Sequence, residues 1–387
     1  MQRDFHGTRA WVAIFFILGA FTATLTHHLI VAGITPGLDF ASFYAAGTLY
    51  HRHGGAELYD RSLQESTLKA LHVHHPDLYY VHPPFEMLAF APLAWLPLNT
   101  AYALWTAFNF ITLLASAAML LRMFPLGPRW YLAVICFLSL PVLHGLGEGE
   151  DSCILLLSVC ACYLLMQRLR PLAAGVALAL MAIKFHYLII LAVLLFIAGK
   201  YRVLKGLVIG LIGLIVLSIA FVGVHGISDY IRFLRTFNAN GLVPMSLQYF
   251  PNVRGFFHRL GWGQIPTLVT SAAMVVAAGY AMRRSKDNVL SFSLCITTAL
   301  VASPYGHIAD AALLVFPLLV AFQNAARSLL ATAAMVIIIP FVIMLSGSYQ
   351  WNLCFLVFFL FLAVLFRECI RQPSAAVAAQ APGVTTV

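Results

Sequence analysis

Residues 203–223 read VLKGLVIGLIGLIVLSIAFVG, an apolar run interrupted by one charge, Lys205. An α-helix rises about 1.5 Å per residue, so roughly 20 apolar residues are needed to cross the hydrocarbon core of a bilayer. The run meets that length and therefore predicts a transmembrane helix.

Segments of the same character recur along the chain on both sides of this run. Several are shorter than a straight crossing requires, and the pair 171–183 and 186–199 has the alternative of being one bent element. The pattern predicts an all-α, polytopic membrane protein with about 12 transmembrane helices. The predicted spans are 10–33, 99–121, 130–146, 152–167, 171–183, 186–199, 203–223, 265–282, 288–302, 308–324, 328–346 and 350–366.

The composition excludes a water-soluble protein. Of the 387 residues, 61% are hydrophobic and only 10% are charged, whereas a soluble domain has about 25% charged residues. We therefore expect a single transmembrane domain over 1–371 and a disordered tail over 372–387, which is rich in Ala, Pro and Thr. The seven cysteines are scattered singly and indicate neither a disulfide framework nor a zinc site.

The surplus of basic residues gives the orientation. Lys and Arg number 23 against 14 acidic residues, and in a membrane protein this surplus marks cytoplasmic turns and does not imply nucleic acid. The N- and C-termini are then cytoplasmic. The basic turns contain Arg3 and Arg9; Arg122 and Arg129; Arg168 and Arg170; Lys200, Arg202 and Lys205; Arg283, Arg284 and Lys286; Arg327; and Arg367 and Arg371.

The remaining connections then face the periplasm, and the two largest are 34–98 and 224–264. Within the first, 40–50 and 61–71 are predicted to be short helices on the membrane surface, joined by a turn at Gly54 and Gly55. The segment 85–96 is apolar but too short to span, so it is expected to be interfacial or re-entrant.

Asp39 follows the first predicted span, in the stretch Thr35 to Tyr44, TPGLDFASFY. An Asp after Pro and Gly is ordinarily a helix N-cap. A carboxylate held among aromatic side chains at a membrane surface is also suited to accept a proton from a bound hydroxyl. The two interpretations are compatible, and both remain open.

A second acidic cluster, Glu148, Glu150 and Asp151, precedes the span that begins at 152. Crowded carboxylates are unfavourable unless cations or amides compensate them, so either a solvated turn with a helix cap or contact with a ligand is expected. A divalent metal is a weaker alternative, because no acidic pair has the spacing of a metal motif.

Three sets of basic residues are expected on the same face. Lys184 and His186 interrupt an apolar stretch, and ionisable residues there indicate function unless they lie at a turn. The loop 224–264 is basic although it is assigned outside, which indicates either a bound anion, read by Arg254, or lipid headgroups. His307 follows Ser303-Pro304-Tyr305-Gly306; such a His is either structural or a donor to a leaving phosphate.

Taken in order, the motifs resemble glycosyltransferase family 87, the polyprenyl-phosphate-sugar-dependent, mannosyltransferase-like enzymes of integral-membrane superfamily C. The stretch Asp-Phe-x-x-Phe-Tyr-x-Ala-Gly, beginning at Asp39, is the strongest of them. The others are Leu58-Tyr59-Asp60, His82-Pro83-Pro84-Phe85, Gly149-Glu150-Asp151-Ser152, Ile183-Lys184, Pro251-Asn252-Val253-Arg254-Gly255 and Ser303-Pro304-Tyr305-Gly306-His307.

The resemblance implies an inverting transfer of mannose or another hexose or pentose to a glycolipid or glycan hydroxyl. Asp39 would be the catalytic base, and His307, Arg254 and Lys184 would bind the phosphate of the donor. Neither a metal nor a cofactor would be required, and membrane lipids would surround the protein. The residues expected to contact substrate are Tyr44, His82, Glu150, Asp151, Gln248 and Asn252.

Two positions depart from the family pattern. Family members commonly have Gln where Glu150 stands and Tyr where His82 stands, which bears on sugar identity more than on reaction type. The alternatives are a secondary transporter or polyprenyl-lipid flippase, which would have a similar number of spans, and a homologue that binds polyprenyl lipid without catalysis. A transporter usually has its polar site near the bilayer midplane, between repeats, whereas here the polar motifs follow one face and no repeat is visible.

Overall fold

The computed structural model of the protein describes residues 37–73, 78–239, 247–324 and 326–371. The predicted first span, 10–33, and the predicted tail, 372–387, lie outside these residues.

The described chain is all-helical, as predicted, and contains no strand. Short 3₁₀ segments connect several helices, and those used below are Pro84–Glu86, Ala179–Lys184 and Ile308–Leu314. The α-helices are α1 Leu38–His53, α2 Arg61–Ala70, α3 Met87–Leu93, α4 Leu98–Met123, α5 Tyr131–Phe137, α6 Leu140–Glu148, α7 Ser152–Gln167, α8 Pro171–Leu178, α9 Phe185–Ile197, α10 Tyr201–Ala239, α11 Val253–Arg259, α12 Gln264–Arg284, α13 Asn288–Ala302, α14 Val315–Gln323, α15 Arg327–Leu345 and α16 Cys354–Arg371.

Six helical stretches of the described chain are long and apolar enough to cross a membrane, or seven if the pair α5 and α6, bent by 43°, is one span. The predicted count of about twelve is therefore not confirmed. Three predicted spans are helices of 10–17 residues, which is less than a straight crossing needs. The residues 171–199 contain one continuous apolar helical stretch, Pro171–Ile197, in which Lys184 has non-helical φ and ψ angles. The six are Leu98–Met123, Pro171–Ile197, Tyr201–Thr236, Gln264–Arg284, Arg327–Leu345 and Trp351–Arg371.

The short helices of the first large connection are confirmed. The predicted 40–50 and 61–71 helices are α1 and α2, and Gly54 between them has φ +81°, which suits glycine. Asp60 caps α2 by accepting a hydrogen bond from the Leu63 amide at 3.0 Å. The segment after His82 forms Pro84–Glu86 and the seven-residue α3, so it is too short to span.

Among the six candidate spans of the described chain, the one formed by α10 has the most apolar window and the least buried one. Its outer side chains Val208, Ile209, Ile212 and Val216 are each more than half exposed. A soluble monomer rarely exposes a contiguous apolar surface of this extent, whereas lipid solvates it. Gly223, at which the predicted run ends, has non-helical φ and ψ angles and kinks α10.

The centre of the bundle is formed by α13 and by the segment Ile308–Gln323, whose side chains are buried on nearly every face. This burial explains their short length, because helices enclosed by protein need not match the bilayer. The connection between them, 303–307, is consequently held in place from both sides. It forms one wall of the polar cavity described next.

Candidate active site

The turn between α6 and α7 brings the acidic cluster inward. Gly149 lies in the left-handed region, with φ +71°, and its carbonyl accepts a hydrogen bond from Trp105 Nε1 at 2.7 Å. Glu150 and Asp151, which follow, are 5% and 2% exposed. The solvated-turn interpretation of this cluster is therefore wrong.

Asp39 lies in the first turn of α1, directly beside that turn. Gly37 occupies the N-cap position of α1 and makes no side-chain cap, so Asp39 is not the cap residue. A Cβ on Gly37 would overlap backbone atoms of Glu148. This close approach, available only to glycine, sets the carboxylate of Asp39 next to Glu150.

A cavity of about 230 Å³ opens at this end of the bundle. One side is polar and the other is apolar and aromatic, which is typical of a binding site for a small organic group. The lining residues that matter below are Asp39, His82, Glu150, Lys184, His307 and Asp310 on the polar side, and Phe43, Tyr79, Ile183, Phe185, Leu234, Phe250 and Tyr305 on the other.

Lys184 ends the 3₁₀ segment Ala179–Lys184 and is the hub of an ionic network. Its Nζ lies 2.7 Å from Glu150 Oε2, 2.6 Å from Asp310 Oδ1 and 3.3 Å from Asp151 Oδ1, and its side chain is 11% exposed. Removing a buried ammonium from water is unfavourable unless anions compensate it. Lys184 is therefore a counter-ion of three carboxylates and not a cation free for a ligand.

His307 lies on the same polar side of the cavity, where it also contacts Glu150. Its Nδ1 lies 2.8 Å from Glu150 Oε1. One side-chain nitrogen or oxygen atom from each of Asp39, Glu150 and His307 lies within 4.8 Å of the other two. Burial alone would lower the pKa of His307, but the charge and hydrogen bond of Glu150, together with the charges of Asp39 and Asp310, outweigh burial and raise that pKa to about 9. The imidazole is thus protonated at neutral pH.

The pKa values of the two carboxyl groups in this trio, Asp39 and Glu150, are shifted in opposite directions. Burial and the neighbouring charge of Glu150 raise the pKa of Asp39 well above its ordinary value. Burial would also raise the pKa of Glu150, but Lys184 and His307 together hold it well below its ordinary value. Pairs of carboxyl groups with separated pKa values are a feature of sites that carry out acid and base chemistry.

His82 forms a second cluster on the same wall. Its Nδ1 lies 3.0 Å from Glu86 Oε1 and 3.4 Å from Asp151 Oδ2. The charges of these carboxylates outweigh burial and raise the pKa of His82 to about 9, whereas burial raises the pKa of Glu86 to about 7. Asp151 therefore joins the His82 cluster to Lys184.

Asp310 is the site residue that sequence reasoning missed. It is 2% exposed, and its Oδ2 accepts hydrogen bonds from the Tyr187 hydroxyl and the His307 backbone amide, each at 2.8 Å. Together with the Lys184 contact, one carboxylate fixes three segments of chain. It caps Ile308–Leu314 and orients the turn that carries His307.

Two trios of the described residues could each offer three ligand atoms to a metal ion: Asp39, Glu150 and His307, and His82, Glu86 and Asp151. In both, positively charged side chains already lie against the carboxylates. The expectation that no metal is required stays a prediction.

A comparison with protein families bears directly on this geometry. The model of glycosyltransferase family 87 matches residues 80–304, more than half of the chain. The chain belongs to glycosyltransferase family 87. Comparisons with curated proteins and with solved structures find no match.

Membership in family 87 makes the protein a membrane glycosyltransferase, in agreement with its apolar helices. The family match includes His82, Glu150, Lys184 and Arg254. Asp39, His307 and Asp310 lie outside it. The structure nevertheless brings residues from inside and outside the matched range around one cavity.

Arg254 and Asn252, which were predicted to bind substrate, do not line the cavity but lie just behind its wall. Arg254 Nη1 donates to the Pro304 carbonyl at 3.2 Å, and its guanidinium lies 4.9 Å from the centre of the Tyr305 ring. Asn252 is fully buried and caps α11 by accepting from the Gly255 amide at 3.0 Å. Both residues support the 303–307 connection from behind.

The last two predicted substrate contacts are Tyr44 and Gln248. The Tyr44 hydroxyl donates to the Leu96 carbonyl at 2.8 Å, and Tyr44 is not among the residues that line the cavity. The side chain of Gln248 lies outside the described part of the protein.

Proposed function

We propose that this family 87 protein transfers a sugar from a polyprenyl-phosphate donor to a hydroxyl of a glycolipid or glycan acceptor, with inversion. The sugar is mannose or another hexose or pentose. The reaction takes place on the extracytoplasmic face of a bacterial inner membrane, with both chain termini in the cytoplasm. It uses no metal and no cofactor, and the donor lipid is a substrate.

One observation carries the proposal: Asp39 and His307 face the same cavity, and side-chain N or O atoms of Asp39, Glu150 and His307 lie within 4.8 Å of one another. Asp39 acts as general base and removes the proton of the acceptor hydroxyl as its oxygen attacks the anomeric carbon. Its raised pKa makes it a stronger base once ionised. His307 donates to the departing phosphate, where negative charge develops.

The three cationic residues His307, Arg254 and Lys184 have different contacts, and we assign them different roles. His307 is the direct phosphate ligand, and Arg254 supports it from behind Tyr305 and reaches phosphate as the donor enters. Lys184 is held by three carboxylates. We propose that Lys184 balances the charge of Glu150 and Asp310 and contributes to phosphate binding through its field.

The apolar side of the cavity suits the lipid part of the donor. Phe185 is 40% exposed on the outer surface of α9 and also lines the cavity. A polyprenyl chain can therefore lie along α9 in the bilayer while its phosphate reaches His307.

The transporter and flippase alternative is disfavoured by family membership and by the position of the cavity at the ends of the helices. Purified protein, incubated with a panel of polyprenyl-phosphate sugars and candidate acceptors, is expected to release polyprenyl phosphate and to form a glycosylated product. Uptake or translocation of substrate in proteoliposomes without covalent product would contradict the proposal.

A further inference from the structure

A second cavity, of about 250 Å³, lies at the opposite end of the bundle. It is formed where the α9–α10 turn meets the α12–α13 turn, and Lys200 and Arg283 line it. The 13 residues of α9 separate it from Lys184, which at 1.5 Å per residue is roughly 20 Å. It is therefore distinct from the candidate active site.

The cavity is rich in hydrogen-bond donors that lack partners. Among the residues that the structure describes, Arg283 has no ion pair and no side-chain hydrogen bond. Its guanidinium carries five N–H donors. Lys200 has three N–H donors and donates one hydrogen bond, to Asn288 Oδ1 at 3.1 Å. Two cations from two different turns thus keep most of their donors available.

A buried hydroxyl gives independent support. Ser291 lines the cavity and is only 8% exposed, and within the described chain its Oγ has no hydrogen-bond partner. An unpaired buried polar group costs about 1–3 kcal/mol. A ligand that accepts a hydrogen bond from this hydroxyl removes that cost.

The described residues that line the cavity include two cations and no acid. Asp287 does not line the cavity, and its Oδ1 accepts hydrogen bonds from the Val289 and Leu290 amides at 2.7 and 3.0 Å. That carboxylate is committed to capping α13. An anion with several acceptor oxygens therefore complements the cavity.

Exposed aromatic residues beside the cavity indicate the source of the anion. Tyr201 and Tyr280 are 56% and 52% exposed, and the Arg284 guanidinium lies 5.2 Å from the centre of the Tyr280 ring. Tyrosines next to basic residues are typical of the level of lipid headgroups. We propose that this cavity binds the phosphate of an anionic phospholipid headgroup through Arg283, Lys200 and Ser291.

The test measures thermal unfolding of the full-length protein in neutral detergent while phosphatidylglycerol, phosphatidylcholine or inorganic phosphate is added. A ligand of the folded state raises the unfolding midpoint with its concentration. We expect phosphatidylglycerol to raise it and phosphatidylcholine not to do so. The variant Lys200→Ala with Arg283→Ala should bind phosphatidylglycerol about tenfold more weakly, equivalent to about 1.4 kcal/mol.

A matched control removes the same charge elsewhere. Arg122→Ala with Arg129→Ala changes another basic turn that does not line the cavity and should leave the lipid effect unchanged. Ser291→Ala, which preserves volume and charge, should weaken binding several-fold and decides the matter if the double variant does not fold.

Three outcomes would count against the proposal. Equal effects of the two lipids would overturn it, as would equal losses in the double variant and its control. A midpoint raised by inorganic phosphate and not by phosphatidylglycerol would support the anion site but overturn its assignment to lipid. Because no turnover is measured, the result is independent of the proposed transfer reaction.

Discussion

Lys184 Nζ lies 2.6 Å from Asp310 Oδ1, although the two residues are 126 positions apart in the chain. This contact joins the end of the 3₁₀ segment Ala179–Lys184 to the turn that carries His307. It therefore fixes the distance between the two positively charged side chains on the polar wall.

We expect Asp310→Asn to disturb His307 more than it disturbs the fold. The amide keeps one acceptor, but it cannot satisfy Lys184, Tyr187 and the His307 amide together. A misplaced catalytic group costs up to about a hundredfold in rate, so kcat should fall about ten- to hundredfold. Lys184 retains Glu150 and Asp151, so the protein should still fold.

The pH profile separates a positioning role from a structural one. Asp310 contributes to the raised pKa of His307, so the alkaline limb of activity should move to lower pH in Asp310→Asn. Asp287→Asn, which alters the α13 cap, is the control and should leave the profile in place. An unshifted limb in Asp310→Asn would contradict the positioning role.

Glu150→Gln should shift both limbs of the pH profile in the same direction. Transfer requires Asp39 ionised and His307 protonated, so activity rises through the pKa of Asp39 and falls through that of His307, near 9. Glu150 raises both pKa values. Without its charge, both limbs should move to lower pH.

The exposed Glu57, which lies away from the cavity, provides the matched variant Glu57→Gln. It removes the same charge and should leave both limbs unchanged. If the two limbs of Glu150→Gln moved in opposite directions, the assignment of base and acid would be wrong.

The sequence predicted the parts of this site that stand out from their surroundings. Asp39, Lys184 and His307 are polar residues at the ends of apolar runs, and their convergence at one end of the bundle is what alternating helices require. Glu150 and Asp151 were found as a crowded cluster, but their burial depends on Lys184, 34 residues away from Glu150. The local sequence around Glu150 and Asp151 does not indicate that Lys184 is their partner.

Asp310 was missed because it lies inside the apolar run 308–324, which was assigned as a span. The signal was present, since an acid within such a run needs a cation, and Lys184 needed an anion. The predicted number of spans is not confirmed over the described residues for a related reason. Hydropathy does not distinguish a helix surrounded by lipid from one enclosed by other helices, such as α13.

Gly37→Ala tests the packing that sets Asp39 beside Glu150. A Cβ there would overlap backbone atoms of Glu148, and overpacking costs about 1–3 kcal/mol. We expect a lower unfolding midpoint in detergent and a loss of activity. In Gly147→Ala the new Cβ meets open space, so this control should be as stable as the parent and active. Equal behaviour of the two variants would refute the close approach.

Arg254→Ala should weaken donor binding more than it slows the chemical step. The substitution removes the Pro304 hydrogen bond and the contact with Tyr305 that support the 303–307 connection. We expect the donor KM to rise about tenfold, with a smaller change in kcat. Arg259→Ala, on the same helix, is the control because Arg259 contacts Gln350 instead. A donor KM equal in both variants would reject the role of Arg254.

The central claim is that Asp39 is the base for sugar transfer, and it is tested by Asp39→Asn in a single-turnover assay with a radiolabelled polyprenyl-phosphate sugar. The amide cannot accept the acceptor proton, so transfer should fall by at least about a hundredfold. Donor binding and the unfolding midpoint should stay close to those of the parent. Transfer at the parent rate by a folded Asp39→Asn protein would contradict the account.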